Sequence, residues 1–368
     1  MAWLTGWSYR KSHVINAQAG AGADYQIKIS VNSGSGSDSG EDVYLESHCT
    51  DFPNDITFTD SDETTELSHW CEDLTADPAI FWVKVTDSLE SSNVTIYIYY
   101  GKTGQASSGD FDNTFIFGDP FDNATLNATR WPSVDGGPTY SINTTSKYLE
   151  VTDMDASEWA TGKGFHSKSL TFPATWRIEG AYVTTGFTLY CGAGMLPLTM
   201  MGFSLHHTTW GSADWGIGFA FYYDAWVDET SVQAIIGVGG NSDYSDKRDG
   251  SQTGVIVMDK LGGDIEITEG GVSRVDEANA ETPDRVHLGI GRFSTSEFVT
   301  VRFYAFKVRK YIEPEPAHST WGSEETPPVA VTPVGGNVQQ AKLLGIVAVN
   351  PFKSFNTRIP KLNPRLVV

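Results

Sequence analysis

Apolar residues along this chain recur at every second position, and that period constrains its fold more than any other feature. Val94-Thr-Ile-Tyr-Ile-Tyr-Tyr100 places Val94, Ile96, Ile98 and Tyr100 on one side. Tyr25-Gln-Ile-Lys-Ile-Ser-Val31 does the same with Tyr25, Ile27, Ile29 and Val31. Successive side chains of a strand point to opposite faces, so such runs make strands with one buried and one wetter face. Residues 80–85 and 298–308 read as further strong strands, and no long helical period competes with them. Clusters of Gly, Asn, Asp and Ser interrupt the runs at short intervals, as stacked antiparallel sheets require. The 12% aromatic content, with 37 Gly and 11 Trp, suits the same architecture. The expected fold class is all-β: two β-sandwich domains and an extended C-terminal arm.

At 368 residues the chain is long enough for two domains, each with its own core. A first composition break falls at Phe117-Gly-Asp-Pro-Phe-Asp122, and a second at Glu324-Glu-Thr-Pro-Pro328. The expected domains are therefore 1–117, 118–323 and an arm over 324–368. Residues 33–40, Ser-Gly-Ser-Gly-Ser-Asp-Ser-Gly, read as a flexible loop too short to link domains. Three cysteines make no disulfide scaffold, though Cys49 and Cys71 could pair in an oxidising compartment; Cys191 reads as a buried free thiol. No run approaches the ~20 apolar residues that span a bilayer, so no membrane insertion is expected. The opening Met-Ala-Trp-Leu-Thr-Gly-Trp lacks the pattern of a secretory signal. An extracellular or virion location would then be reached without one.

Charge is split along the chain. Residues 326–368 hold no Asp or Glu and five bases, Lys342, Lys353, Arg358, Lys361 and Arg365. The preceding residues carry 20 bases against all 46 acids. A phosphate backbone would be repelled by such a body, so nucleic acid is not an expected partner. A charged fraction of only 19% also argues against a disordered polyanion.

Four spaced motifs carry a resemblance. Trp7-Ser-Tyr-Arg-Lys11, Asp55-Ile-Thr-Phe-Thr-Asp-Ser-Asp62, Phe81-Trp-Val-Lys-Val85 and Ile96-Tyr-Ile-Tyr-Tyr-Gly101 occur in that order. Together they resemble a small β domain of uncharacterised function, found in archaeal and bacterial surface proteins and in some viral proteins. In that family it often precedes a concanavalin A-like jelly roll of the lectin and glucanase kind. The second region is similar to such a jelly roll at its two ends. Phe121-Asp-Asn-Ala-Thr-Leu-Asn-Ala-Thr-Arg-Trp131 looks like its opening strand, and Val301-Arg-Phe-Tyr-Ala-Phe-Lys-Val-Arg-Lys-Tyr311 like its closing one, followed by Pro314, Pro316 and Trp321-Gly322. The resemblance implies a fold and a surface or adhesive context, and no activity.

Several constellations invite chemistry. Asp60, Asp62, Glu63 and Glu66 could hold Ca2+ through oxygen ligands, but Asp and Ser there equally cap a turn. Asn241, Asp243, Asp246 and Asp249, closed by Gly250, form a better loop for that cation, although Lys247 and Arg248 already neutralise it. Ca2+ is thus the one cofactor the sequence suggests. Asp264-Ile-Glu266-Ile-Thr-Glu269 resembles the strand on which laminarinase-type glucanases carry their carboxylates. Asp and Glu stand exchanged here, which alters reach at both positions, and paired glycines on each side read as a short exposed hairpin strand. Trp210, Trp215, Tyr223, Asp224 and Trp226 could stack on and hydrogen-bond a surface glycan, where the plainer reading is core packing. Asn93, Asn123, Asn127 and Asn143 open Asn-x-Ser/Thr sequons, relevant only at a cell surface.

The arm holds one sticky segment, Ala341-Lys-Leu-Leu-Gly-Ile-Val-Ala-Val349, with high β propensity and low charge. Lys342, Leu343, Leu344, Ile346, Val347 and Val349 could add as a strand to a neighbour's sheet edge. Lys353, Arg358, Lys361 and Arg365 would then meet acidic surface; the plainer reading is a disordered tail. The function this favours is a non-enzymatic structural protein of a virion or extracellular surface. Its partners would be copies of itself or other structural proteins of the assembly. The alternatives are a carbohydrate-binding adhesin and a degenerate glucan hydrolase.

Overall fold

The computed structural model describes residues 2–135, 139–153, 163–185, 202–206, 217–224, 229–238, 241–245, 253–278, 285–290 and 300–328. Met1–Pro327 is one compact unit and Pro328–Val368 a second. Strand dominates the described residues of the first unit, beside a four-residue α-helix, Phe111–Thr114.

Seven strands open the chain: β1 (Tyr9–Ile15), β2 (Tyr25–Asn32), β3 (Asp42–Tyr44), β4 (Ile56–Thr59), β5 (His69–Cys71), β6 (Ala79–Val85) and β7 (Val94–Tyr100). They form two four-stranded sheets, β3-β2-β6-β5 and a second in which β1, β7 and β4 are joined by a late strand, His318–Trp321. The period-two runs do what their spacing dictates. Ile27, Ile29 and Val31 of one sheet meet Ile96, Ile98 and Tyr100 of the other in a single core, all at most 3% exposed. Each such side chain removed from water is worth about 1.5–3 kcal/mol.

Beyond it, a nine-stranded and a seven-stranded antiparallel sheet enclose the second core. Ile178, Met258, Ile267 and Phe303 of the larger sheet pack with Phe165, Val286 and Leu288 of the smaller. Phe117–Asp119 enters the larger sheet against Phe306–Lys310, where Gly118 faces Lys307. A Cβ on Gly118, at φ +150°, would run into the Phe306 carbonyl oxygen, so the close approach requires glycine. A third, small cluster packs the helix and its C-terminal end onto β5 and β6: Trp82, Phe111 and Phe115, with Trp70 and Ile80 against it.

Four expectations are corrected. Residues 121–131 are bends and turns rather than an opening strand. Asn127 Oδ1 accepts from the backbone N–H of Thr129 at 2.8 Å, and the Asp119 carboxylate takes the Trp131 indole N–H at 2.7 Å, which favours a turn. The expected strand over 298–308 is described from Thr300 as two strands, Thr300–Tyr304 and Phe306–Lys310, because the register against Trp176–Thr185 shifts by one residue at Ala305, whose N–H still reaches Lys147 O at 3.2 Å. The loop over 33–40 is pinned: Asp38 accepts from Lys11 Nζ at 2.7 Å and from the Tyr44 N–H at 2.8 Å. Finally, His318–Trp321, which includes the Trp321 expected to follow the jelly roll's closing strand, pairs with β1 and completes the first sandwich.

Candidate functional site

Most residues expected to carry function fall where the structure gives no description. Trp210, Trp215, Trp226, Asp246, Asp249 and the arm residues from Lys342 to Arg365 lie outside the described residues. Tyr223 and Asp224 end the strand Ile217–Asp224, opposite Thr230 and Glu229. Asn241 and Asp243 stand on a strand, Asn241–Ser245, paired with Val238 and Ile236; the expected open loop therefore begins as sheet, with ladder hydrogen bonds taking its backbone. Among the described residues no three His, Cys, Asp or Glu side chains converge as a metal site would need. The acidic run at Asp60 instead caps a turn, as its plainer reading held. Asp62 accepts from the Thr65 hydroxyl at 2.5 Å and from the Thr65 and Thr64 N–H groups at 2.7 and 2.8 Å, which together hold its carboxyl low, at about 2. Cys49 and Cys71 are free thiols and do not pair.

Asp264–Glu269 is the hairpin strand its flanking glycines suggest, and it lies inside the nine-stranded sheet, between Thr253–Leu261 and Val272–Ala278. Paired glycines make the connections, and Gly270 and Gly271 both take positive φ. Ile265 and Ile267 enter the core, so Glu266 faces outward. A bulge does fall after Ile267. Glu266 sits in register with Asp259, whose two oxygens are held by Arg177 at 2.6 Å each.

The residues the structure does bring together are at the ends of the first unit. Arg10, fully buried on β1, donates through Nε to Glu325 at 2.7 Å and through Nη1 to the Tyr99 hydroxyl at 2.8 Å, with Glu63 at 3.2 Å. The Trp3 and Tyr97 rings lie 4.6 and 4.7 Å from its guanidinium carbon. Glu324 accepts from the Tyr100 hydroxyl and meets His48 Nδ1, both at 2.8 Å. Trp321 stacks on His13 with ring centroids 3.6 Å apart, and His13 Nε2 lies 2.8 Å from His318 Nδ1. Burial first, and then the neighbouring His318, holds His13 far below the usual imidazole range, at about 3. Arg10 and Lys11 end the Trp7–Lys11 motif, Tyr97, Tyr99 and Tyr100 lie in the Ile96–Gly101 motif and Glu63 in the acidic run, but nothing in the sequence paired them: Arg10 meets Glu325 across 315 positions and Lys11 meets Asp38 across 27.

From this return segment a cleft of about 320 Å³ opens between the two sandwiches. Its first-sandwich wall carries Lys28 and Glu41, an ion pair at 3.0 Å. Opposite stand Arg177, Glu179 and Arg309 on the outer face of the nine-stranded sheet, with Glu315 and His318 at one end. Arg309 is almost wholly buried and is forked by Glu315 at 2.7 and 3.0 Å, which also receives the Tyr25 hydroxyl at 3.0 Å. Its guanidinium carbon is 4.9 Å from the Trp82 ring, and Lys307 Nζ is 4.7 Å from the same ring. Lys307 bridges Glu72 of the first sandwich and Glu179 of the second at 3.0 and 3.2 Å. The two sandwiches are thus joined by charge-assisted bonds across an aromatic contact.

A family model described as a domain of unknown function (DUF2341) matches residues 52–134. Three of the four motifs quoted for the uncharacterised β domain lie within that match. No curated protein matches the chain. Similar solved structures include a GH43 protein from Bacillus licheniformis, 10% identical, with TM-score 0.36, covering 67% of this chain and 46% of its own. The Bacillus licheniformis beta-glucanase is 13% identical, with TM-score 0.34, covering 53% of this chain and 98% of its own. The Emp46p carbohydrate recognition domain in its metal-free form is 11% identical, with TM-score 0.36, covering 53% of this chain and 97% of its own.

Proposed function

We propose that this chain is a non-enzymatic structural component of an extracellular or virion assembly, whose basic C-terminal arm docks on a neighbouring subunit. The observation that carries the reading is the clamp at the arm's root. Glu324 and Glu325, the last acids before the basic tail, are held by Tyr100, His48 and Arg10 on the first sandwich. A tail leaving from a clamped root starts at a defined place on the body, and a load on it passes into the sheet rather than into a loop. The charge opposition between body and arm favours encounter between copies. Removal of residues 329–368, past the clamp, tests this by light scattering of the full and shortened chains. The shortened chain is expected to lose higher-order association and keep the thermal transition of the body. An oligomer of unchanged mass would overturn the proposal.

A further inference from the structure

The cleft between the sandwiches has an unused hydrogen-bonding capacity that the clamp and the ion pairs do not account for. His13 Nδ1 lies 3.3 Å from the Thr320 carbonyl oxygen, which can only accept, so that nitrogen carries the proton. His13 Nε2 is then an acceptor, and His318 Nδ1 must donate to it across 2.8 Å. This assigns His318 Nε2 as a bare acceptor on a residue lining the cleft, and among the described residues it takes part in no hydrogen bond. Burial holds the His318 ring below its usual range, which keeps that lone pair available at neutral pH. Nearby, Lys28 pairs with one oxygen of Glu41, leaving further donors and a further acceptor at the rim.

The wall charges cancel. Lys28, Arg177 and Arg309 stand against Glu41, Glu179 and Glu315. An ionic ligand would lose its hydration and meet no net opposite field. A neutral ligand with several groups that both donate and accept has no such penalty. Ile27 and Pro316 add apolar surface for its C–H face. A volume of about 320 Å³ is at the small end of ligand pockets.

We propose that the cleft between the two sandwiches binds a neutral saccharide of one or two rings, with hydroxyl groups on His318 Nε2, Lys28 and Glu41. This goes beyond the assembly role, since the residues it rests on all belong to the body.

The test is saturation-transfer NMR on the full-length protein with D-glucose, D-galactose, N-acetylglucosamine and cellobiose at millimolar concentration, beside glycylglycine as a zwitterion of similar size. Transfer to at least one sugar and not to the dipeptide is expected. Lys28→Met combined with Glu41→Gln should weaken the sugar by about tenfold, the loss of one charge-assisted hydrogen bond. Both side chains are about 40% exposed, so the thermal transition should stay in place and show that the fold is intact. Absence of transfer from every sugar overturns the proposal, and so does unchanged affinity in the double variant, which would place the sugar elsewhere. Preference for glycylglycine would overturn the argument from cancelled charge.

Discussion

Acid should loosen the return segment, and His13 sets how fast. Its ring is fully buried between Trp321 and His318, and its ordinary value of 6.5 falls to about 3, through burial first and the His318 ring second. The sign follows from linkage. An unfolded chain protonates this ring near pH 6.5 and the folded protein does not, so acid favours unfolding from that pH downward. The stabilisation is present above pH 6.5, declines by about 1.4 kcal/mol per pH unit and is exhausted near pH 3. Between pH 7 and pH 5 the cost is therefore about 2 kcal/mol, and by pH 3 about 4 kcal/mol. The His318 ring is also held low and acts in the same direction. Around the pair, Glu41, Asp42 and Glu315 favour the charged form of His318, and Lys28 opposes it. Urea unfolding of the full chain at pH 7, 6 and 5 measures the slope, and His13→Phe isolates it. Phenylalanine keeps a ring on Trp321 and cannot titrate, so the variant should be less stable at pH 7 and flatter toward pH 5. Hydrogen exchange should show residues 318–325 opening first in the wild type. Equal slopes for wild type and variant would refute the reasoning.

Two further outcomes follow from the same geometry. Glu325→Ala should cost about 2 kcal/mol in urea unfolding, because Arg10 stays buried with Glu63 as its remaining carboxylate, and Glu325→Gln should cost less; a loss under a few tenths would show that the clamp holds nothing. The Cys71 thiol, pushed up to about 11 by burial, should react with iodoacetamide at pH 8 about a hundredfold more slowly than an unfolded cysteine. Peptide mapping reads this at Cys71 itself, and equal labelling of native and unfolded chains would contradict it.

The strands of the first sandwich were legible because their signal is local. The run from Val94 to Tyr100 is one strand in the structure, and the run from Tyr25 to Val31 is a strand one residue longer. Turn chemistry was legible at Asp62, whose side chain reaches only two and three residues along. It was misread at residues 121–131, where the likeness to a jelly roll's opening strand suggested a strand and the Asn127 cap and the Asp119–Trp131 bond favour turns instead. Asp264–Glu269 was legible as a short hairpin strand between paired glycines, but its place within the sheet depends on two partner strands that the run itself does not encode.

What the sequence by itself determined is the all-β class, the core faces of the strongest strands and the polarity of charge between body and arm. Backbone pleating sets the first two, and composition the third, without reference to distant residues. Only the tertiary structure decided that the strand after the second sandwich returns to the first, that Arg10 meets Glu325, that His13 lies under Trp321 and that a charge-balanced cleft separates the sandwiches. The partners in these contacts stand about 300 positions apart, as Arg10 and Glu325 do, or on opposite sandwiches, as Trp82 and Arg309 do. Their pairing depends on where the chain comes back in space, and no local period records that.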